Sequence, residues 1–200
     1  MHLRLKHALR RFSASEGGGM SVEAVIIFPI LLWAFIAMFV FFDAFKSQNI
    51  NLKATYTIAD MISREGGNID AGFIDGANDA YGFLTGNRPE NETRVTMINV
   101  QPGPDGVTPE MVLQCSYSTD GTALPRIDDI ALIENRVPLM SIGDWLIIVD
   151  TEVFWEPVME RVPLVGTILA PRTLSETVFT SPRFSPQIFI EPTATHCNFP

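Results

Sequence analysis

The chain is poor in the residues that carry most catalytic and metal chemistry. It has three histidines and two cysteines in 200 residues. His2 and His7 lie near one end and His196 near the other, so no His-x-x-x-His pair forms. Cys-x-x-Cys, a Walker-type glycine loop and Gly-x-Ser-x-Gly are also missing. His196 and Cys197 are adjacent, but neighbouring residues with no third group to orient them make a poor nucleophile and base. The run from Asn68 to Asp79 is rich in oxygen donors yet misses the EF-hand spacing, and helix capping with solvated acids accounts for it. Asn91-Glu92-Thr93 matches a glycosylation sequon and carries little by itself. The reading is therefore of a protein that is not an enzyme, with no catalytic residues, no metal site and no cofactor.

Positive charge is also scarce. Lys and Arg number 14 against 23 Asp and Glu, a net charge of −9. Arg4, Lys6, Arg10 and Arg11 crowd the first eleven residues. From Ala44 onward ten basic residues face twenty acidic ones. Such an acidic surface argues against nucleic acid and against an anionic lipid surface as partners.

The chain's one excess is an apolar run. Ala24 to Phe42 holds no charge, and Pro29 alone interrupts it. As a helix, nineteen residues span about 28 Å, close to the ~30 Å hydrocarbon core of a bilayer. A buried helix of a globular domain would show a polar face, which this run lacks. The basic leader fits the n-region of a secretory signal, but the run exceeds an ordinary ~7–15 residue h-region and no Ala-x-Ala site comes after it. A retained transmembrane helix is the reading. The positive-inside bias then keeps residues 1–18 in the cytoplasm and exports the chain beyond Phe42.

Cys115 and Cys197 both fall in the exported part. In an oxidising compartment they can close one bridge, and free buried thiols are the alternative. Closing a loop of about 80 residues would stabilise the fold by about 4 kcal/mol in the chain-entropy model.

The helix is expected to run from residue 20 to about 65, with Pro29 bending or loosening it because it lacks an N–H. Past the membrane it turns amphipathic. Lys53, Thr57, Asp60 and Arg64 share one stripe, leaving Leu52, Ile58, Ala59 and Ile62 to pack on a domain. Gly66-Gly67 is read as a left-handed C-cap. Asn68 or Asp70 caps a second helix carrying Phe73, Ala77, Ala80, Tyr81 and Leu84. Residues 94–100 and 111–117 read as strands about a turn at Pro102–Gly106, and 127–134 as a short helix. The strongest strand signal is 144–156, whose second half shows one largely acidic face. Short strands at 177–180 and 187–190 close the pattern. Helices first and strands afterwards predict an α+β fold, in which a long N-terminal transmembrane helix continues into an exported domain with an antiparallel sheet. The organisation is a leader at 1–18, a transmembrane and juxtamembrane helix at 19–65 and a domain at 66–200.

Glu23 stands at the doorstep of the apolar run, just after Gly17-Gly18-Gly19. A carboxylate near hydrocarbon needs a shallow position or a partner. An interfacial cap on the helix N-terminus would serve. So would a new α-amino group: cutting after Gly18 frees the nitrogen of Gly19 and makes Glu23 the fifth residue of the mature chain. In a filament, that amino group and the carboxylate of a neighbouring subunit would pair and set register.

The basic leader, glycine-rich cut, fifth-position glutamate and proline-containing apolar helix resemble those of type IV pilins and pseudopilins. The stretch GMSVEAVIIFPILL is more specifically similar to the start of TadE-like proteins (the TadE/TadG group) of the tight-adherence, or Flp, pilus system. Residues 17–65 carry the resemblance; 90–185 share it only loosely, through segments such as VPLVGTILAPRTLSETVFTSPR. It implies a pilin-like periplasmic domain and a minor pilin or pseudopilin of a bacterial inner membrane. The implied partners are a prepilin peptidase, other pilins, the inner-membrane platform, an assembly ATPase and membrane lipid. Gly18 and Gly19 are then the cleavage site and Glu23 the pairing carboxylate. The chain has Glu23-Ala24 where major pilins of that system carry Glu-Tyr, and it is longer than they are, which points to a minor subunit. Cuts after Gly17 or Gly19 stay open. The alternatives are a pseudopilin of a secretion system and a single-pass anchored periplasmic sensor or adaptor.

Overall fold

The computed structural model describes residues 19–88, 90–157 and 171–190. Helix α1, Gly19–Ser63, is 45 residues long and runs unbroken through Pro29, a length of about 67 Å. Its two halves live in different surroundings. Every residue from Ser21 to Phe35 whose side chain is described is exposed. Beyond the apolar run, Ala44, Ser47, Asn51, Ala54, Ile58 and Ile62 are buried, at the three- and four-residue steps that keep one stripe facing a neighbour. The stripe of Lys53, Thr57, Asp60 and Arg64 faces outward as expected, with Arg64 Nε donating to Asp60 at 2.8 Å.

The end of α1 corrects the glycine-cap expectation. Neither Gly66 nor Gly67 has positive φ. Arg64 N donates to Met61 O and Glu65 N to Ile62 O, so the last turn tightens into i→i−3 bonds. Helix α2, Ala71–Leu84, is capped by Asp70, whose side chain accepts from Phe73 N at 2.7 Å. It buries Ile74, Ala77 and Tyr81, whereas Leu84, expected on the packing face, is exposed. It runs back along α1: Tyr81 reaches Asn51, and Arg88 just beyond its end reaches Ser47.

Four strands complete the domain: β1 Glu92–Pro102, β2 Pro109–Ser118, β3 Trp145–Trp155 and β4 Arg172–Thr180. They form one antiparallel sheet in the order β2-β1-β3-β4. The β1–β2 turn is held by Asp105, whose Oδ1 accepts from Val107 N and Thr108 N. Gly106 there takes φ +71, which a side chain would strain. The strand expected at 177–180 begins at Arg172, and that expected at 187–190 reduces to one parallel bridge between Ile190 and Ile69. The helix expected at 127–134 is instead two 3-10 turns, Ile130–Leu132 and Glu134–Arg136.

Each sheet face has its own cover. Val95, Met97, Ile147, Val149, Val153, Trp155, Leu174 and Val178 join α1 and α2 in the main core. On the other face Ile98, Leu146 and Ile148 pack against Ile127 and Ile133. The segment between β2 and β3 is thus a third layer, and the class is α+β.

Candidate functional site

The sequence-predicted site residues lie along α1. Gly19 opens the described helix and Gly18 lies outside the described residues. Glu23 is exposed one turn beyond Gly19, and no described residue gives it a hydrogen bond or ion pair. From there to Phe42 the helix presents Val25, Phe28, Leu31, Trp33, Phe35 and Phe39 to the surroundings. This apolar exposure exceeds what a monomer in water leaves bare. The helix is long and apolar enough to cross a membrane, with mean hydropathy 2.8 over its best window, of which 6 % is buried. Core helices of soluble domains are mostly buried, and this one is not. Pro29 leaves the Val25 carbonyl without its helical donor, in the middle of this bare stretch.

A polar seam joins the second half of α1 to the domain. Thr55 Oγ1 lies 2.6 Å from Thr151 Oγ1 of β3 and 2.9 Å from Asn51 O. The Tyr81 hydroxyl donates to Asn51 Oδ1, and Arg88 Nη2 donates to Ser47 Oγ at 2.9 Å. Burial pushes the Tyr81 hydroxyl well above its ordinary value, against a lowering hydrogen bond from Thr151. It therefore stays a neutral donor. Asn51 Nδ2 is buried without a hydrogen-bond partner, so its amide is oriented by Tyr81 alone. Polar residues at core positions fix the rotation and height of a helix, because a shifted partner leaves buried groups unpaired. Sequence reading misses this seam: Ser47, Asn51 and Thr55 look like a solvated face until Tyr81, Arg88 and Thr151 are brought to them. Their seven-residue period with Ala54 and Ile58 is the available signal.

The acidic face read on β3 runs from a buried carboxylate at Asp150, through a half-buried one at Glu152, to an exposed one at Glu156. Asp150 is buried and accepts from Arg94 Nη2 at 2.8 Å and Nε at 3.1 Å, and from Thr177 Oγ1 at 2.6 Å. Arg94 is the directly registered partner on β1, and its Nη1 donates to Pro125 O at 2.6 Å, tying down the third layer. Glu92 holds the same layer by its backbone, accepting from Ser118 Oγ, Gly121 N, Ala123 N and Leu124 N. Burial opposes ionisation of Glu92, but these donors together outweigh it and hold the carboxyl below its ordinary 4.5. Across the strands, Glu152 is pushed above 4.5 by burial and then by the charge of Glu92, with Arg94 opposing.

The oxygen-rich run at 68–79 is spent on structure. Asp70 caps α2, Asp75 accepts from Tyr117, and Asn78 Oδ1 accepts from Thr93. No cluster of three metal-type ligands occurs among the described residues. The sequon residue Asn91 donates its Nδ2 to Asn78 O at 3.1 Å. Its side chain also packs so close to Gly82 that a Cβ there would meet it at 3.0 Å. Cys115 is disulfide-bonded; Cys197, the chain's other cysteine, lies outside the described residues. Comparison of the chain with family models, curated proteins and solved structures finds no match.

Proposed function

We propose that this chain is a TadE-like minor pilin or pseudopilin of a tight-adherence pilus. In this reading it is anchored in a bacterial inner membrane with its sheet domain in the periplasm, and a prepilin peptidase processes it after Gly18. The observation that carries the reading is the division of α1. One unbroken helix offers a bare apolar half, headed by glycine and Glu23, and a second half locked against an antiparallel sheet. A subunit held in lipid and then lifted into a helical fibre needs this division. The apolar half trades lipid for neighbouring helices, and the buried seam keeps the domain rigidly attached meanwhile.

Glu23 supplies register in this scheme. Released Gly19 carries an ammonium, and the carboxylate of an adjacent subunit is its partner in a low-dielectric bundle. No catalysis is required of the chain. The test uses Glu23→Ala and Gly18→Phe in the native host. Glu23→Ala is expected to insert and be processed normally but to fail in pilus assembly, and Gly18→Phe to accumulate with its leader. Full piliation with Glu23→Ala would refute the pairing role. Indifference to both changes would favour the single-pass sensor or adaptor.

A further inference from the structure

The end of the domain nearest the apolar run carries charge of both signs. Phe42 closes the run, and Ser47 lies five residues further, a rise of about 7.5 Å. Arg88 is bonded to Ser47 at 2.9 Å, so the loop after α2 sits at that height. The sheet arrives at the same height independently. Arg183 N donates to Ser63 O and its guanidinium meets Asp60 at 3.1 Å, which places the end of β4 beside the far end of α1. Eight residues of strand back to Arg172 cover about 26 Å, about seventeen residues of helix, which reaches the neighbourhood of Asp43. The Thr55–Thr151 contact agrees, since Trp155, the partner of Arg172, lies four strand residues nearer the apolar run. Arg172 lies over the Trp155 ring at 5.7 Å.

Among the described residues, three cations and three anions therefore lie near the helix exit: Lys46, Arg88 and Arg172 with Asp43, Glu90 and Glu156. All six are exposed or partly exposed. We propose that these six charges rest in the headgroup layer of a zwitterionic lipid, the cations on the phosphates and the carboxylates on the ammonium groups. The inference rests on the membrane-spanning reading of α1. A headgroup layer extends about 5–7 Å beyond each side of the hydrocarbon, which matches the height of Ser47 and Arg88. Balanced charge suits a lipid bearing both signs. The rest of the domain is acidic, which disfavours an anionic surface.

The full chain is reconstituted in phosphatidylethanolamine and phosphatidylcholine vesicles and labelled, without reductant, through one added cysteine with an environment-sensitive fluorophore. Asn87→Cys reports the charged end, Phe35→Cys the apolar helix and Val107→Cys the far β-turn. A headgroup nitroxide is expected to quench the label at 87 and spare that at 107, while an acyl-chain nitroxide quenches the label at 35. The double variant Lys46→Glu, Arg172→Glu, which leaves the Arg88–Ser47 bond in place, is expected to weaken the quenching at 87 and keep that at 35. Quenching at 35 with none at 87, or quenching at 87 that is unchanged in the double variant, overturns the headgroup contact. No quenching at 35 overturns the spanning helix, and the headgroup contact with it.

Discussion

Replacing Asp150 by Asn tests the link between sheet and third layer. Asp150 receives two donors from Arg94 and one from Thr177, and the Arg94 and Asp150 side chains are only 10 % and 4 % exposed. Neutralising one partner leaves a buried guanidinium facing an amide that itself offers N–H groups, with Pro125 O its remaining strong acceptor. Breaking a buried pair in this way costs about 3–5 kcal/mol, because one charge stays desolvated without its partner. Arg136, 3.6 Å from Asp150 and half exposed, is screened by water and recovers little. For a domain of this size the loss corresponds to a fall in Tm of about 10–20 °C. The assay is thermal unfolding of the detergent-solubilised chain, followed by near-ultraviolet circular dichroism of its tryptophans. The double change Arg94→Met, Asp150→Leu removes both charges and is expected to regain most of the loss. If Asp150→Asn costs less than about 1 kcal/mol, or the double variant is worse than the single, the pair does not hold the third layer.

The remaining predictions use the same assay. Thr55→Val takes from the Thr151 hydroxyl its partner on α1 and is expected to cost about 1–2 kcal/mol, with Thr55→Val, Thr151→Val less destabilised than the single change. Glu92 has a folded pKa below its ordinary 4.5. Its stabilisation is therefore complete above that value and lost as pH falls through the lower folded one, and Glu92→Gln should flatten an acid titration of stability there. Glu152 has the opposite sign. Its raised folded pKa means stability falls as pH rises through that value, so Glu152→Gln should raise Tm at neutral pH. Cys115→Ser should lower stability by about 4 kcal/mol for a bridge closing about 80 residues, and reductant should leave that variant's Tm unchanged.

Much of the fold is legible in the sequence because its determinants are local. The outward stripe from Lys53 to Arg64 follows from helical spacing, the Asp70 cap from side-chain chemistry, β1 and β3 from runs rich in β-branched residues, and β2 from a short apolar run after the Pro102–Gly106 turn. The misreadings come from tertiary partners. β4 reads as shorter than it is because an edge strand turns only Leu174 and Val178 fully inward, so its polar first half resembles loop. The acidic face of β3 is legible as a pattern, but the burial of Asp150 is not, because its partner Arg94 lies 56 residues away in sequence. Ser47, Asn51 and Thr55 escape notice because a buried polar seam has no sequence signature apart from its spacing. Of the candidate site, the apolar run and the position of Glu23 are visible in sequence alone, whereas the anchoring of the second half of α1 needs the structure.

The most direct measurement is the intact mass of the protein purified from its native host, with and without its prepilin peptidase. A mature chain that begins at Gly19 when the peptidase is present, and keeps its eighteen-residue leader when it is absent, is the predicted result. A chain that still begins at Met1 or His2 in peptidase-positive cells would contradict the account, because Glu23 would then have no ammonium to meet.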